Sequence, residues 1–193
     1  MSETIEIEFK NLLTKDEYQI LLGAFKVEES QIKSQKNHYF DTPNFALKKL
    51  GSALRIREKG NHFEMTLKQP AAVGLLETTQ LLIANEFQAA IQYGTLPKGE
   101  IHDRIQQLDD ISFSLIEYFG SLLTKRAEFQ YKNGILVLDH SLYLKTEDYE
   151  VEYEVEDFQL GQAAFQELLH QFRIPIRKTQ NKIERFYQQK YFL

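Results

Sequence analysis

Glu6, Glu8 and Lys10 recur at every second position, with Ile5, Ile7 and Phe9 interleaved. Period two sets the ionisable groups on one side of an extended strand and the apolar ones on the other. The pattern returns at Glu150, Glu152, Glu154 and Glu156, which alternate with Val151, Tyr153 and Val155. Arg55 and Arg57 flank Ile56, Thr66 and Lys68 flank Leu67, and Arg126 and Glu128 flank Ala127. Gathered together, Glu6, Glu8, Glu77, Asp139, Glu152 and Glu154 form an acidic set, and Lys10, Arg55, Arg57, Lys68, Arg126 and Lys182 a basic one. Clustered carboxylates suit hard divalent cations, Mg2+ or Mn2+. Arginine and lysine suit phosphoryl oxygens, arginine with the added geometry of a fork. Carboxylates without a metal would repel a polyanion, and a purely basic pocket would bind one without assembling a nucleophile. The combination points to a polyphosphate bound together with a divalent ion.

For any one strand, charge opposite an apolar face is what a half-exposed antiparallel sheet shows. Glutamate and lysine are nevertheless poor strand formers, and successive glutamates along one face repel each other. Buried charge is costly unless it is paired or coordinated. Charged faces pointing into a barrel therefore imply a wet interior filled by ligand, with the apolar faces packed against outer helices.

The elements that must do this positioning are legible along the chain. Residues 3–10 predict a strand, followed by a helix that Thr14 and Glu17 open with a capping-box pattern. Further strands are expected over 31–41, 53–59, 62–68 and 75–83, with Gly60-Asn61 as a hairpin turn. Residues 85–93 and 101–108 read as helices, and 114–120 is ambiguous. Strands over 122–131 and 135–144 are expected around an Asn133-Gly134 turn, then a strand over 149–156 and helices over 160–172 and 178–191. About eight strands joined by short turns favour antiparallel pairing, and eight is a number that closes a small barrel. The expected class is α+β, an eight-stranded antiparallel barrel with helices outside, as one domain over 1–193.

Composition narrows the function. The net charge is −5, against the basic face that broad nucleic-acid binding needs. The chain has no cysteine, which removes thiolate metal sites and cysteine nucleophiles. Its five histidines lack metal-ligand spacing. The N-terminus has no signal-peptide pattern, and no apolar run approaches the ~20 residues of a membrane span. A cytoplasmic protein is expected, a monomer or homodimer without nucleic-acid or membrane partners. Asp41-Thr42-Pro43 reads as a shaping turn, Tyr39 as packing or a ligand contact, and Asp109-Asp110 as a solvated loop.

Glu6-Ile7-Glu8-Phe9-Lys10 resembles the Glu-x-Glu-x-Lys signature of the CYTH superfamily, also called triphosphate tunnel metalloenzymes. The resemblance continues through His38–Pro43, Leu54–Arg57, Thr66–Lys68, Thr124–Arg126, Leu138-Asp139, Glu152–Glu154 and Lys182, over nearly the whole chain. The sequence looks most like the stand-alone bacterial branch of Gram-positive organisms. The resemblance implies an eight-stranded tunnel in which Lys10, Arg55, Arg57, Lys68, Arg126 and Lys182 hold a small-molecule triphosphate. It implies Glu6, Glu8, Asp139, Glu152 and Glu154 as ligands of Mg2+ or Mn2+. Glu8, Glu77 and Glu154 become the candidate catalytic carboxylates. Glu150 shares their face and is expected at a tunnel mouth, and the C-terminal helix is expected to plug or lid the tunnel. The implied activity is metal-dependent triphosphate hydrolysis, with adenylyl cyclase or a non-catalytic polyphosphate or nucleotide sensor as the alternatives.

Overall fold

The computed structural model describes residues 2–108 and 111–191, so the Asp109-Asp110 pair lies outside the described residues. Its strands are β1 (Ser2–Leu13), β2 (Lys33–Asp41), β3 (Ala53–Lys59), β4 (His62–Pro70), β5 (Leu75–Leu82), β6 (Glu117–Tyr131), β7 (Gly134–Tyr143) and β8 (Thr146–Val155). Its helices are α1 (Lys15–Ala24), α2 (Ala46–Lys49), α3 (Ala84–Tyr93), α4 (Glu100–Gln106), α5 (Phe158–Gln171) and α6 (Lys182–Tyr191). The strands are hydrogen-bonded in the order β1-β5-β4-β3-β2-β6-β7-β8, and the antiparallel sheet closes as a barrel. Among the described residues no helix is long and apolar enough to cross a membrane. The chain divides into two compact units, one of Met1–Ile5 and Gln35–Ser121 and one of Glu6–Ser34 and Leu122–Leu193.

In the second unit, β1, β6, β7 and β8 turn their apolar faces to α1 and α5. Leu21 of α1, Leu136 and Leu138 of β7, Val151 of β8 and Leu168 of α5 are fully buried in one cluster. Burying each such side chain contributes roughly 1.5–3 kcal/mol, so this face fixes the strand register and sends Glu6, Glu8 and Lys10 to the other side. The capping box of α1 forms as expected: Glu17 N–H donates to Thr14 Oγ1 at 3.2 Å, and Thr14 N–H donates to Glu17 Oε2 at 2.7 Å. Asp157 caps α5 by accepting from Leu160 N–H at 2.8 Å.

The first unit repeats the logic. Phe40, Leu54, Ile56, Met65 and Leu67 are fully buried with Ala90 of α3 and Ile101 and Ile105 of α4. Asp41 shapes the chain after β2, as the turn reading requires. Its carboxylate accepts from the backbone N–H groups of Leu47 and Lys48 at 2.9 and 3.1 Å, satisfying donors at the start of α2.

Several boundaries depart from the sequence expectation, β8 for instance opening at Thr146 and not at 149, and α2 was not expected; three departures bear on the site. The ambiguous 114–120 stretch resolves into a 3-10 turn over Phe113–Leu115 and the start of β6 at Glu117. The β6–β7 turn is Lys132-Asn133, one residue earlier than expected, because Gly134 already pairs with Tyr131. Gly134 is needed there for close approach, since a Cβ would collide with the Glu154 carbonyl of β8. Helix α6 begins at Lys182 because the residues before it are spent on β1. Leu12 N–H donates to Thr179 Oγ1 at 2.9 Å, Arg177 N–H to Asn11 Oδ1 at 2.6 Å, and the Arg177 guanidinium forks onto Glu17 at 2.8 and 2.9 Å.

Candidate functional site

The site is built on the charged face of the second unit. Across β1 and β8 the register sets Glu8 opposite Glu154, Lys10 opposite Glu152 and Leu12 opposite Glu150. A like-charged cross-strand pair is unfavourable by itself, whereas Lys10 and Glu152 are complementary. Glu6, Glu8 and Glu154 each bring a carboxylate oxygen within 4.8 Å of the others. Lys10 is ion-paired to Glu8, and its ammonium also donates to Asn181 Oδ1 at 2.8 Å. Burial works against that ammonium, but Glu8 and Glu152 outweigh it and hold the pKa of Lys10 above its usual value.

Arg126 ties this trio to a second, deeper group. Its Nε and Nη2 donate to the two oxygens of Asp139 at 2.8 and 2.6 Å, and Nη2 also donates to Glu152 at 2.7 Å. Its Nη1 lies 4.0 Å from Glu154. Lys182, projecting from the first turn of α6, meets Asp139 at 2.9 Å, Glu150 at 3.1 Å and Glu152 at 2.5 Å. Burial opposes ionisation of Asp139 and Glu152, yet Arg126 and Lys182 overcome it and lower both carboxyl pKa values, Glu152 strongly. The same carboxylates raise Lys182 and Arg126 well above their ordinary values, against the desolvation of each.

Glu150 departs from the expectation of a tunnel mouth. It is fully buried, because Arg185 of α6 donates to its Oε2 at 2.5 Å and Lys182 shares the same oxygen. Burial, reinforced by Glu152, raises its pKa despite Lys182 and Arg185. The β1–β8 register also removes the two-residue ambiguity among Glu150, Glu152 and Glu154. Of the three, Glu154 joins Glu6 and Glu8, while Glu150 and Glu152 belong to the deeper group.

A match to the CYTH domain family model extends over residues 4–187. The chain belongs to the CYTH family. YjbK of Bacillus subtilis (strain 168), named a "putative triphosphatase", is 50% identical over 190 residues, 98% of each chain. A Bacillus halodurans protein, solved at 2.12 Å as a "putative adenylate cyclase", is 45% identical with a TM-score of 0.93, covering 97% of this chain and 100% of that one. HpAC1 from Hippeastrum, described as a "putative adenylyl cyclase" with a dominant triphosphatase activity, shares the fold at 24% identity and a TM-score of 0.78, over 96% of each chain.

The remaining sequence-predicted residues of this CYTH domain lie in the first unit, again on the strand face away from the helices. Arg55 is flanked across the sheet by Tyr39 and Thr66, and Arg57 by Asn37 and Glu64. Asn37 Oδ1 accepts from Arg57 Nε at 3.2 Å. Lys68 and Glu77 are direct cross-strand partners and form an ion pair. Arg55 Nε and Thr66 Oγ1 are buried with no hydrogen-bond partner among the described residues. An orphaned guanidinium N–H is a donor that a phosphoryl oxygen can satisfy as acceptor. Tyr39 is buried and stacks on Phe119 at 6.1 Å.

Three of the five histidines have carboxylate partners outside the site. His38 meets Glu58 at 3.0 Å, His102 meets Asp103 at 2.8 Å and His140 meets Glu147 at 2.7 Å. Residues that the sequence reading missed are Asn181 and Arg185. The signal for Arg185 was available, since it stands three positions after Lys182 and so shares its helix face.

Proposed function

We propose that this CYTH domain hydrolyses the terminal phosphoanhydride bond of a triphosphate with the help of Mg2+ or Mn2+. The observation that carries the reading is the convergence of three carboxylates, Glu6, Glu8 and Glu154, beside the buried cations Arg126 and Lys182. The donor set fits the ion: three hard oxygens on adjacent strands suit Mg2+ or Mn2+, and there is no thiolate or imidazole to favour a softer metal. Glu6, Glu8 and Glu154 would hold it, and when bound it supplies positive charge to the phosphoryl oxygens. Asp139 and Glu152, also implied as ligands by the resemblance, here set the orientation of Arg126 and Lys182.

In this reading Lys10, Arg126 and Lys182 offset charge on the non-bridging oxygens, and Arg55, Arg57 and Lys68 are the first unit's own candidates for holding phosphate. Glu8 or Glu154 orients a water whose oxygen bonds to the terminal phosphorus as the bridging P–O bond breaks, and the proton that the water loses passes by way of the carboxylate to the departing bridging oxygen. Orthophosphate leaves, and the bridging oxygen stays with the shortened phosphate. Glu77 holds Lys68 in place. Inorganic tripolyphosphate, thiamine triphosphate and nucleoside triphosphates all present the required group.

A substrate panel with Mg2+, Mn2+ or EDTA, read by phosphate release, tests this. Release that depends on the ion is the expected result, and its absence from every triphosphate would refute the reading. Adenylyl cyclase is the second reading, favoured by the description of the Bacillus halodurans protein. Chromatography of the products from ATP separates the two, because a cyclase yields cyclic AMP and diphosphate.

A further inference from the structure

Lys182 has more partners than a ligand-binding lysine can keep. Its ammonium is shared among Asp139, Glu150 and Glu152, and to meet a phosphoryl oxygen it must give up part of that coordination. What it gives up depends on Arg185, one helical turn further along α6. The Arg185 guanidinium is almost fully buried. Its Nε and Nη2 donate to Asp148 at 2.9 and 3.3 Å, and its Nη1 donates to the Gln180 carbonyl at 2.6 Å. Its Nη2 also donates to Glu150 Oε2 at 2.5 Å, and Lys182 reaches that same oxygen at 3.1 Å. Tyr143 O–H donates to Asp148 Oδ2 at 2.7 Å and fixes the far side of the clasp.

We propose that Arg185 is a positioning residue for hydrolysis, which neutralises Glu150 so that Lys182 is free to exchange carboxylate for phosphate. The proposal rests on the triphosphatase reading and names a control of Lys182 within it. A fully buried carboxylate that loses one cation leans on the cation that remains. Without Arg185, the Glu150 charge holds Lys182, and the triphosphate must compete with it. The arginine contacts no substrate in this role, so the effect falls on binding more than on the chemical step.

A merely structural role, in which Arg185 anchors α6 through Asp148 and Gln180, gives a different result in one respect. It is blind to the charge of Glu150. The test is therefore a cycle of R185Q, E150Q and R185Q/E150Q, with R185K as the conservative variant, assayed on tripolyphosphate with Mg2+ or Mn2+. R185Q is expected to raise KM about tenfold, with kcat within about threefold of wild type. In the E150Q background the same substitution is expected to change KM by less than about threefold, because the charge to be neutralised is gone. R185K is expected to keep KM within about threefold of wild type and carries the test if R185Q does not fold. An unchanged KM in R185Q, an equal rise in both backgrounds, or a tenfold rise in R185K overturns the proposal. Wild-type protein without metal-dependent release of phosphate overturns the triphosphatase reading instead, and this inference with it.

Discussion

Glu8→Gln is expected to lower metal-dependent phosphate release at least about a hundredfold while the thermal midpoint without metal stays the same or rises. The two halves of this result have one cause. Glu6, Glu8 and Glu154 place three carboxylate oxygens within 4.8 Å. At an effective dielectric constant of about 20, two unit charges at that separation repel by roughly 3 kcal/mol. Lys10 offsets part of this by pairing with Glu8. The rest is held in the fold by the apolar contacts on the opposite faces of β1 and β8. Glutamine keeps the volume and the strand geometry but removes one charge, so the fall in repulsion offsets the lost charge of the Glu8–Lys10 pair, and Lys10 keeps Asn181 as a partner. The ion loses a charged ligand, and a divalent cation held by carboxylates depends on their charge. Differential scanning fluorimetry with and without Mn2+ adds a second readout. Wild type is expected to gain stability with the ion by mass action, and the variant to gain much less. Normal turnover in Glu8→Gln would count against this assignment of the metal ligands.

The sequence carried the strands well because alternation of apolar and charged residues is a local signal. Phe9 packs against Phe158 and Phe165 of α5 as the pattern predicts, whereas Ile5, at the start of the same alternation, is exposed, and the Gly60-Asn61 turn joins Lys59 to His62 where expected. Which strand residues share a charged face was also legible, since period two alone decides it; Lys182, on α6, is placed by no such period. The pairing among the charged residues was not legible. Nothing local distinguishes Glu150 from Glu152 or Glu154. Their separation into a buried pair and a member of the Glu6–Glu8 trio follows from the β1–β8 register and from where α6 docks. Arg185 shares the helix face of Lys182, but its spacing alone does not say what it meets. Its partners are 35 and 37 residues away in sequence, on a strand that only tertiary packing brings to the helix.

The deeper group gives the second large effect. Asp139→Ala is expected to destabilise the protein by about 3–5 kcal/mol at pH 7, the usual cost of leaving a buried ion unpaired. Asp139 is fully buried and takes both arms of the Arg126 fork as well as the Lys182 ammonium. Removing it leaves two buried cations to share Glu152 and Glu150. The pH dependence identifies the cause. Burial disfavours the Asp139 charge, but Arg126 and Lys182 prevail, so its pKa in the folded protein lies below the ordinary 3.8. A depressed carboxyl pKa contributes stability that is fully present above the unfolded value and lost as pH falls through the folded one. The gap between wild type and variant should therefore be constant from neutral pH down to about 5, where the unfolded carboxyl begins to titrate, and close in more acidic solution. Urea unfolding at a series of pH values measures it. A loss that is small at pH 7, or one that persists undiminished well below the folded pKa, would mean that Asp139 acts through packing and not through its charge.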